Sequence, residues 1–204
     1  TDGAVGYSIS FTDTSSNTGA VVDNYSSSVT VDTTAPTLAA VTAISTPTTD
    51  NTPSFVFSSD EAGTITTSIS EGFSTSTSAS SGNNTITFSA LSEGTYSGKT
   101  VTVTDSTGNA TSLTIADFVI DTTGPTIVIT SADVSDGGTS NDSSIALTFT
   151  SNEATSNFAV GDISVSGGSL SNFAASSSTV YTATFTPSAD GATTIDVAAS
   201  AFTD

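Results

Sequence analysis

The side chains of this sequence that could do chemistry are carboxylates, hydroxyls and amides. Twenty Asp and Glu stand against one basic residue, Lys99, and His, Cys, Met and Trp are absent. Without imidazole or thiol there is no Ser-His-Asp triad, no thiolate nucleophile and no zinc site of the usual nitrogen and sulfur kind. What is left is the ligand set that hard cations prefer, and calcium is the natural counterion. Asp60-Glu61 offers two carboxylates as a glycosidase would. Adjacent loop residues do not oppose each other across a sugar ring, however, and no aromatic floor accompanies them. Neither an enzymatic activity nor a small-molecule substrate is expected.

A net charge of −19 repels nucleic acid phosphates and anionic membranes over about a Debye length, roughly 8–10 Å. Neither is an expected partner. No apolar run approaches the roughly 18 residues that span a bilayer, so direct membrane insertion is not expected. The N-terminus lacks the basic-then-apolar order of a signal peptide, which places any export signal elsewhere. High negative charge without Cys or Met suits an exposed, extracellular or cell-surface protein that stays soluble, resists oxidation and needs no disulfides.

The elements that would position these acids are strands. Apolar and small polar residues alternate in Ser54-Phe55-Val56-Phe57, Thr85-Ile86-Thr87-Phe88, Val101-Thr102-Val103, Ala146-Leu147-Thr148-Phe149 and Tyr181-Thr182-Ala183-Thr184-Phe185. That is the period of a half-buried strand, and Gly, Asn, Asp and Ser clusters separate the runs. With 35% hydrophobic residues the chain can build a core, and Phe55, Phe57, Phe88, Phe149 and Phe185 are its expected members. No segment of helical length carries a 3.6-residue apolar stripe. The expected class is all-β with short strands.

The chain also repeats itself. Val31-Asp32-Thr33-Thr34-Ala35-Pro36-Thr37 recurs 89 positions on as Ile120-Asp121-Thr122-Thr123-Gly124-Pro125-Thr126. Phe57-Ser58-Ser59-Asp60-Glu61-Ala62 recurs 92 positions on as Phe149-Thr150-Ser151-Asn152-Glu153-Ala154. The segment from Gly6 to Asp13 matches Gly98 to Asp105, and a third copy runs from Asp190-Gly191-Ala192 to Phe202-Thr203-Asp204. A unit of about ninety residues fits one β-sandwich. The frame predicts the late strands of one domain at 1–32, a complete domain at 33–121, and a domain at 122–204 that lacks its last strand. Two accounts fit this frame: a stretch of a longer protein, or donor-strand assembly in which residues near 2–31 complete a neighbour.

These residues resemble a known group. Asp32 to Pro36, Asp121 to Pro125, Thr104-Asp105-Ser106-Thr107-Gly108-Asn109, and the stretch from Ser135 through Glu153 to Val165 are similar to the bacterial Ig-like repeats of giant biofilm and host-contact adhesins. The resemblance implies tandem immunoglobulin-like β-sandwiches of about seven strands in Greek-key order. It also implies an extracellular, calcium-stiffened spacer. One departure is Asp13-Thr14-Ser15-Ser16-Asn17, which has no Gly before Asn.

In that strand order, the start of strand A, the B–C loop and the F–G loop share one pole. Asp32, Asp60, Glu61 and Asp105 should therefore meet, and Asp121, Glu153 and Asp204 should do so in the next repeat. Asp13 would take the role of Asp105 in the first. Carboxyl groups this close repel, at about 332/(εr) kcal/mol per pair, and calcium relieves the conflict. The other reading is that Asp105 caps a turn in which Gly108 and Asn109 take positive φ, and the two readings are compatible. Asp50-Asn51 and Asn141-Asp142 read as ordinary turns, and the glycosylation triplets at Asn109 and Asn141 are weak signals in so Ser/Thr-rich a chain.

The leading expectation is a structural spacer of a repetitive bacterial adhesin, rigidified by calcium at domain junctions. Its expected partners are neighbouring Ig-like repeats of the same or an adjacent chain. The alternatives are a subunit of an extracellular filament or surface layer, assembled through Ig-like domains with or without strand donation, and a carbohydrate-binding accessory domain. The last lacks an aromatic platform, with no Trp and four Tyr.

Overall fold

A computed structural model describes residues 2–23 and 29–204; Thr1 and residues 24–28, which belong to the expected segment 1–32, lie outside the described residues. The chain divides into two compact units, Thr1–Thr122 and Thr123–Asp204. Both are antiparallel β structures, and the regular helix among the described residues is one short 3₁₀ turn, Val160–Asp162.

The first unit opens with a narrow ribbon. Strand β1 (Gly3–Val5) pairs with β4 (Val29–Val31), and β2 (Ser8–Ile9) with β3 (Val22–Asp23). Its apolar residues are left in solvent: Val5, Ile9, Phe11, Val22 and Val29 are all exposed. A sandwich follows. One sheet is β5 (Leu38–Thr42), β6 (Ser54–Ser59) and β9 (Gly82–Thr87). The facing sheet has the order β12-β11-β7-β8, from Ala110–Thr114, Thr100–Thr104, Gly63–Thr67 and Ser78–Ala79. A two-stranded extension of β10 (Gly94–Tyr96) and β13 (Phe118–Ile120) completes it.

The period-2 pattern explains this packing. Along β6 the burial alternates so that Phe55 and Phe57 point inward and stack at 6.1 Å, while Val56 faces outward. They meet Ile86, Ile65, Val101 and Val103 from the other strands and Phe88 just beyond β9, all essentially inaccessible to solvent. Phe118 and Ile120 of β13 close one end of this core, with Phe118 stacked on Tyr96 at 5.0 Å.

The second unit has a four-stranded sheet in the order β14-β15-β18-β17, from Ile127–Thr130, Ile145–Ser151, Val180–Pro187 and Gly168–Ala175. The opposing sheet has two strands, β16 (Ile163–Ser166) and β19 (Thr194–Val197). Among the described residues no strand runs along the other edge of β19, whereas its counterpart β11 lies between two neighbours. Phe149 and Phe185 are fully buried, as the alternation predicts. The centre of this core is Phe158, which lies in a loop. Its ring contacts Phe149, Phe173, Tyr181 and Phe202 at centroid distances of 4.9–5.9 Å.

Truncation of an inward aromatic should therefore be costly, and truncation of an outward strand residue should not. Phe57→Ala is expected to destabilise the protein by about 3–5 kcal/mol. Val128→Ala, at a position 61% exposed, is expected to stay within about 0.5 kcal/mol. Urea unfolding followed by circular dichroism measures both.

Candidate metal centre

A linker and two short turns bring acidic side chains to one pole of the first unit. Asp32 directly follows β4, Glu61 sits in the turn between β6 and β7, and Asp105 opens the turn between β11 and β12. The turn carrying Glu61 is held by Ser59, whose hydroxyl donates to the Glu61 carbonyl at 2.7 Å. Gly63 lets that turn press on β11: a Cβ there would come within 2.5 Å of the Thr104 carbonyl oxygen, a distance no side chain tolerates. One carboxylate oxygen from each of Asp32, Glu61 and Asp105 lies within 4.8 Å of the other two. Two oxygens on opposite sides of a calcium ion are about 4.8 Å apart, at 2.3–2.6 Å from the metal, so this spacing is compatible with one shared cation.

Hydrogen bonding decides which oxygens remain for a ligand. Asp105 is buried, and its Oδ1 accepts from the N–H groups of Thr107, Gly108 and Asn109 and from the Thr107 hydroxyl, at 2.7–2.9 Å. Its Oδ2 accepts one bond, from the Asn109 amide at 2.8 Å, and keeps lone-pair capacity. The same amide donates to the Asp32 carbonyl at 3.3 Å and so ties the junction residue to the turn. Turn capping and an oxygen directed into the carboxylate group thus coexist on Asp105. Gly108 takes φ +99, the left-handed geometry this turn needs.

The electrostatics of the three acids diverge. Burial raises the Asp105 pKa, but the bonds from Asn109 and Thr107 outweigh it and bring the group down to about 2. Glu61 moves the other way, raised first by desolvation and then by the negative charges of Asp32, Asp105, Asp60 and Asp2. Among the described residues its carboxylate accepts no hydrogen bond.

Asp60 departs from the expected arrangement, because it is not part of the three-acid group. Its Oδ1 accepts the Thr37 N–H at 2.7 Å instead. In the second unit the corresponding Asn152 Oδ1 accepts the N–H of Thr126 at 2.6 Å. An amide oxygen serves equally well there, so the position calls for a hydrogen-bond acceptor and not for a charge. Asp13, expected to act like Asp105, forms the same turn: its Oδ1 accepts from Ser15 and Asn17 N–H at 2.8 and 2.9 Å. Ser16 adopts φ +66 where the later repeat has Gly108. In the second expected group, Asp121 follows β13 and closes the first unit, while Glu153 and Asp204 belong to the second. Asp50 caps Thr52, as an ordinary turn residue does.

Two further acids act at the junctions and were not anticipated. Asp2 Oδ1 accepts the N–H and the hydroxyl of Thr33 at 2.9 and 2.7 Å, and Oδ2 accepts the Thr34 hydroxyl. Glu93 Oε1 accepts the N–H and hydroxyl of Thr122 at 2.8 and 2.9 Å. The signal was in the sequence: Asp2-Gly3, Glu93-Gly94 and Asp190-Gly191 recur ahead of the late strand, each with its Gly at φ between +140 and +148.

Residues 29–122 match one family model and residues 121–204 another, and both models are described as a bacterial Ig-like domain. No curated protein matches the chain.

The two shifted acids should leave opposite traces on stability measured in chelator. Asp105, lowered, contributes stability that is present above its ordinary value of 3.8 and is lost as pH falls toward about 2. Asp105→Asn should therefore remove part of the acid sensitivity in that window. Glu61, raised above 4.5, costs stability as pH climbs through its folded value. Glu61→Gln should accordingly be more stable than the parent at pH 7. Urea midpoints between pH 2 and 7 report both. Gly108→Ala, where an added Cβ meets no atom within 4 Å, should cost about 1–2 kcal/mol through backbone strain alone, read from the same unfolding curves.

Proposed function

Residues 29–204 of this chain belong to the bacterial Ig-like domains, structural modules common on surface proteins, and from that premise we propose that it is a spacer of a large repetitive adhesin, secreted or held at the bacterial cell surface and stiffened by calcium where domains join. The observation that carries this reading is the grouping of Asp32, Glu61 and Asp105, one residue from the junction and two from loops of the adjoining sandwich. A ligand that needs all three ties the linker to the domain. The composition supports the same reading, since one lysine in the chain leaves almost no internal cation to neutralise such a group. The sequence repeat supplies the same acid positions again as Asp121, Glu153 and Asp204, the ligand set expected of the next repeat. The reading is mechanical and non-catalytic, with neighbouring Ig-like repeats as partners.

Calcium fits this donor set better than magnesium, because carboxylates from a linker and two separate turns suit a large, flexible oxygen shell more than a strict octahedron. The ion would act by replacing mutual repulsion with shared attraction. Asp105 is already oriented by its turn, and Glu61, without a hydrogen-bond donor, would gain a partner.

If calcium binds the folded junction and not the unfolded chain, stability rises by RT ln(1 + [Ca]/Kd), about 2.7 kcal/mol at a hundredfold excess over Kd. Calorimetry in calcium and in chelator should show the melting temperature climbing with calcium and responding weakly to magnesium. Glu61→Gln and Asp105→Ala should each lose most of the calcium increment, while Asp50→Ala should keep it. Superimposable melting curves in calcium and chelator would overturn the reading and leave these acids as turn caps.

A further inference from the structure

The segment that joins β5 to β6 also pairs with β13, the last strand of the first sandwich. Thr48 lies opposite Ile120 in a parallel bridge. Its N–H donates to the Val119 carbonyl at 3.0 Å, and its carbonyl accepts the Asp121 N–H at 3.0 Å. Just before it, the Thr46 hydroxyl oxygen accepts the Val119 N–H at 2.9 Å. All pairings between strands β1 to β19 are antiparallel, so this is the one parallel contact among the described residues. It is backed by the core: Phe118 and Ile120 are fully buried, and Ile44, just ahead of the segment, is buried as well.

Direction gives this contact its meaning. Residues 46–48 follow the junction residue Asp32 by way of β5, and β13 ends at the junction residue Asp121. Tension applied between those junctions draws residues 46–48 toward their N-terminal end and β13 toward its C-terminal end. In a parallel pair these pulls are opposed along one axis, so the three bonds are loaded together. A pair pulled from a common end opens instead like a zipper, one bond at a time. Burial adds to the resistance. Because side chains alternate between faces, a slip of one residue would carry Phe118 and Ile120 out of the core.

We propose that residues 46–48 and β13 form a shear lock through which the first sandwich carries tension between its two junctions. The lock rests on the spacer reading for the direction of the load, and it involves neither the carboxylate group nor calcium. Its parts have distinct roles. The backbone bonds of Thr48 grip β13 on either side of Ile120, and the Thr46 hydroxyl adds a third bond. On the other edge β10 holds β13 in the register Gly94↔Ile120, Thr95↔Val119, Tyr96↔Phe118. Strand β5 is the less resistant entry to the fold, an edge strand whose register shifts between Ala40 and Thr42. Its detachment from β6 leaves the lock closed, because the lock comes after it in the chain.

The chain has no cysteine, so introduced thiols define where force is applied. Thr34, Asn51 and Gly124 are exposed, and a Cβ added at Gly124 meets no atom within 4 Å. Optical tweezers with DNA handles pull the 204-residue chain in chelator. Chelator keeps the outcome apart from the calcium reading, since either can fail alone. Handles on Thr34→Cys and Gly124→Cys load the pair in shear, whereas handles on Asn51→Cys and Gly124→Cys pull its two strands from a common end. The shear geometry should need several times the force. In that geometry Thr46→Val should speed unfolding at constant load about fivefold, the effect of one hydrogen bond. Ile65→Val, in the facing sheet, should lower the urea midpoint but change the loaded rate far less. Equal forces in the two geometries overturn the lock. So does a Thr46→Val chain that unfolds under load at the parent's rate, or an Ile65→Val effect as large as that of Thr46→Val.

Discussion

Negative charge without positive partners is the constraint to which this structure answers. With one lysine for twenty acids, carboxylates have to be held by N–H and O–H dipoles, and each such bond fixes a piece of backbone. Asp105 gathers four donors onto one oxygen and so sets the turn between β11 and β12. Asp117 takes the Ser97 hydroxyl and the Gly98 N–H, Asp133 the N–H of Ala146, and Asp162 the N–H of Ala159. Turns that a neutral chain would leave to propensity are specified here by charge-assisted bonds, which are shorter and stronger than neutral ones. The abundance of Ser and Thr follows the same logic, because hydroxyls supply donors without bulk.

Where donors run out, the charge becomes available for other work. Glu61 is surrounded by Asp2, Asp32, Asp60 and Asp105, accepts no hydrogen bond among the described residues, and has its proton affinity raised. A half-buried carboxylate in that setting would gain from a proton or from a shared cation. Its neighbour Asp60 shows the contrast. The two residues are adjacent in sequence, yet one is satisfied by the Thr37 N–H and the other is not. The difference comes from direction: Asp60 points back along the linker toward Thr37, and Glu61 points across the pole toward Asp32 and Asp105.

The fold was largely legible in the sequence, because a sandwich core depends on alternation. Phe55, Phe57, Phe88, Phe149 and Phe185 all lie in period-2 runs and all are buried. Three of the four acids expected at the first pole were legible as well, since their placement follows from strand order. Asp60 lies outside that group, because position alone does not reveal which donor a side chain will reach. The counterpart Asn152 makes the same bond, its Oδ1 accepting the N–H of Thr126. Asp2 and Glu93 were missed for a different reason. Their partners lie 31 and 29 residues away and are met only after the ribbon and the sandwich have folded. Phe158 was invisible as a core centre because loops carry no period, and a loop aromatic becomes central only when Phe173, Tyr181 and Phe202 close around it. Ser16 shows sequence preference being overridden: four residues of hydrogen-bonding pattern around Asp13 hold a non-glycine residue at φ +66.

The two units together indicate how a repeat can divide its stability between what is inside it and what comes next. In the first, Phe118 and Ile120 are core residues, yet they lie immediately before Asp121, the residue that begins the following repeat. The strand that seals a core therefore runs directly into Asp121, and Glu93 holds Thr122 just beyond it. An apolar residue lost from β13 opens the core next to Asp121. Residues 29–33 show the same linkage in its exposed form, with Val29 and Val31 in solvent, Asp32 at the pole and Thr33 held by Asp2. The acid is placed there although its strand seals nothing within the first unit, so the hydrogen bonds that Asp2 accepts from Thr33 and Thr34, and not burial of the strand, hold that segment.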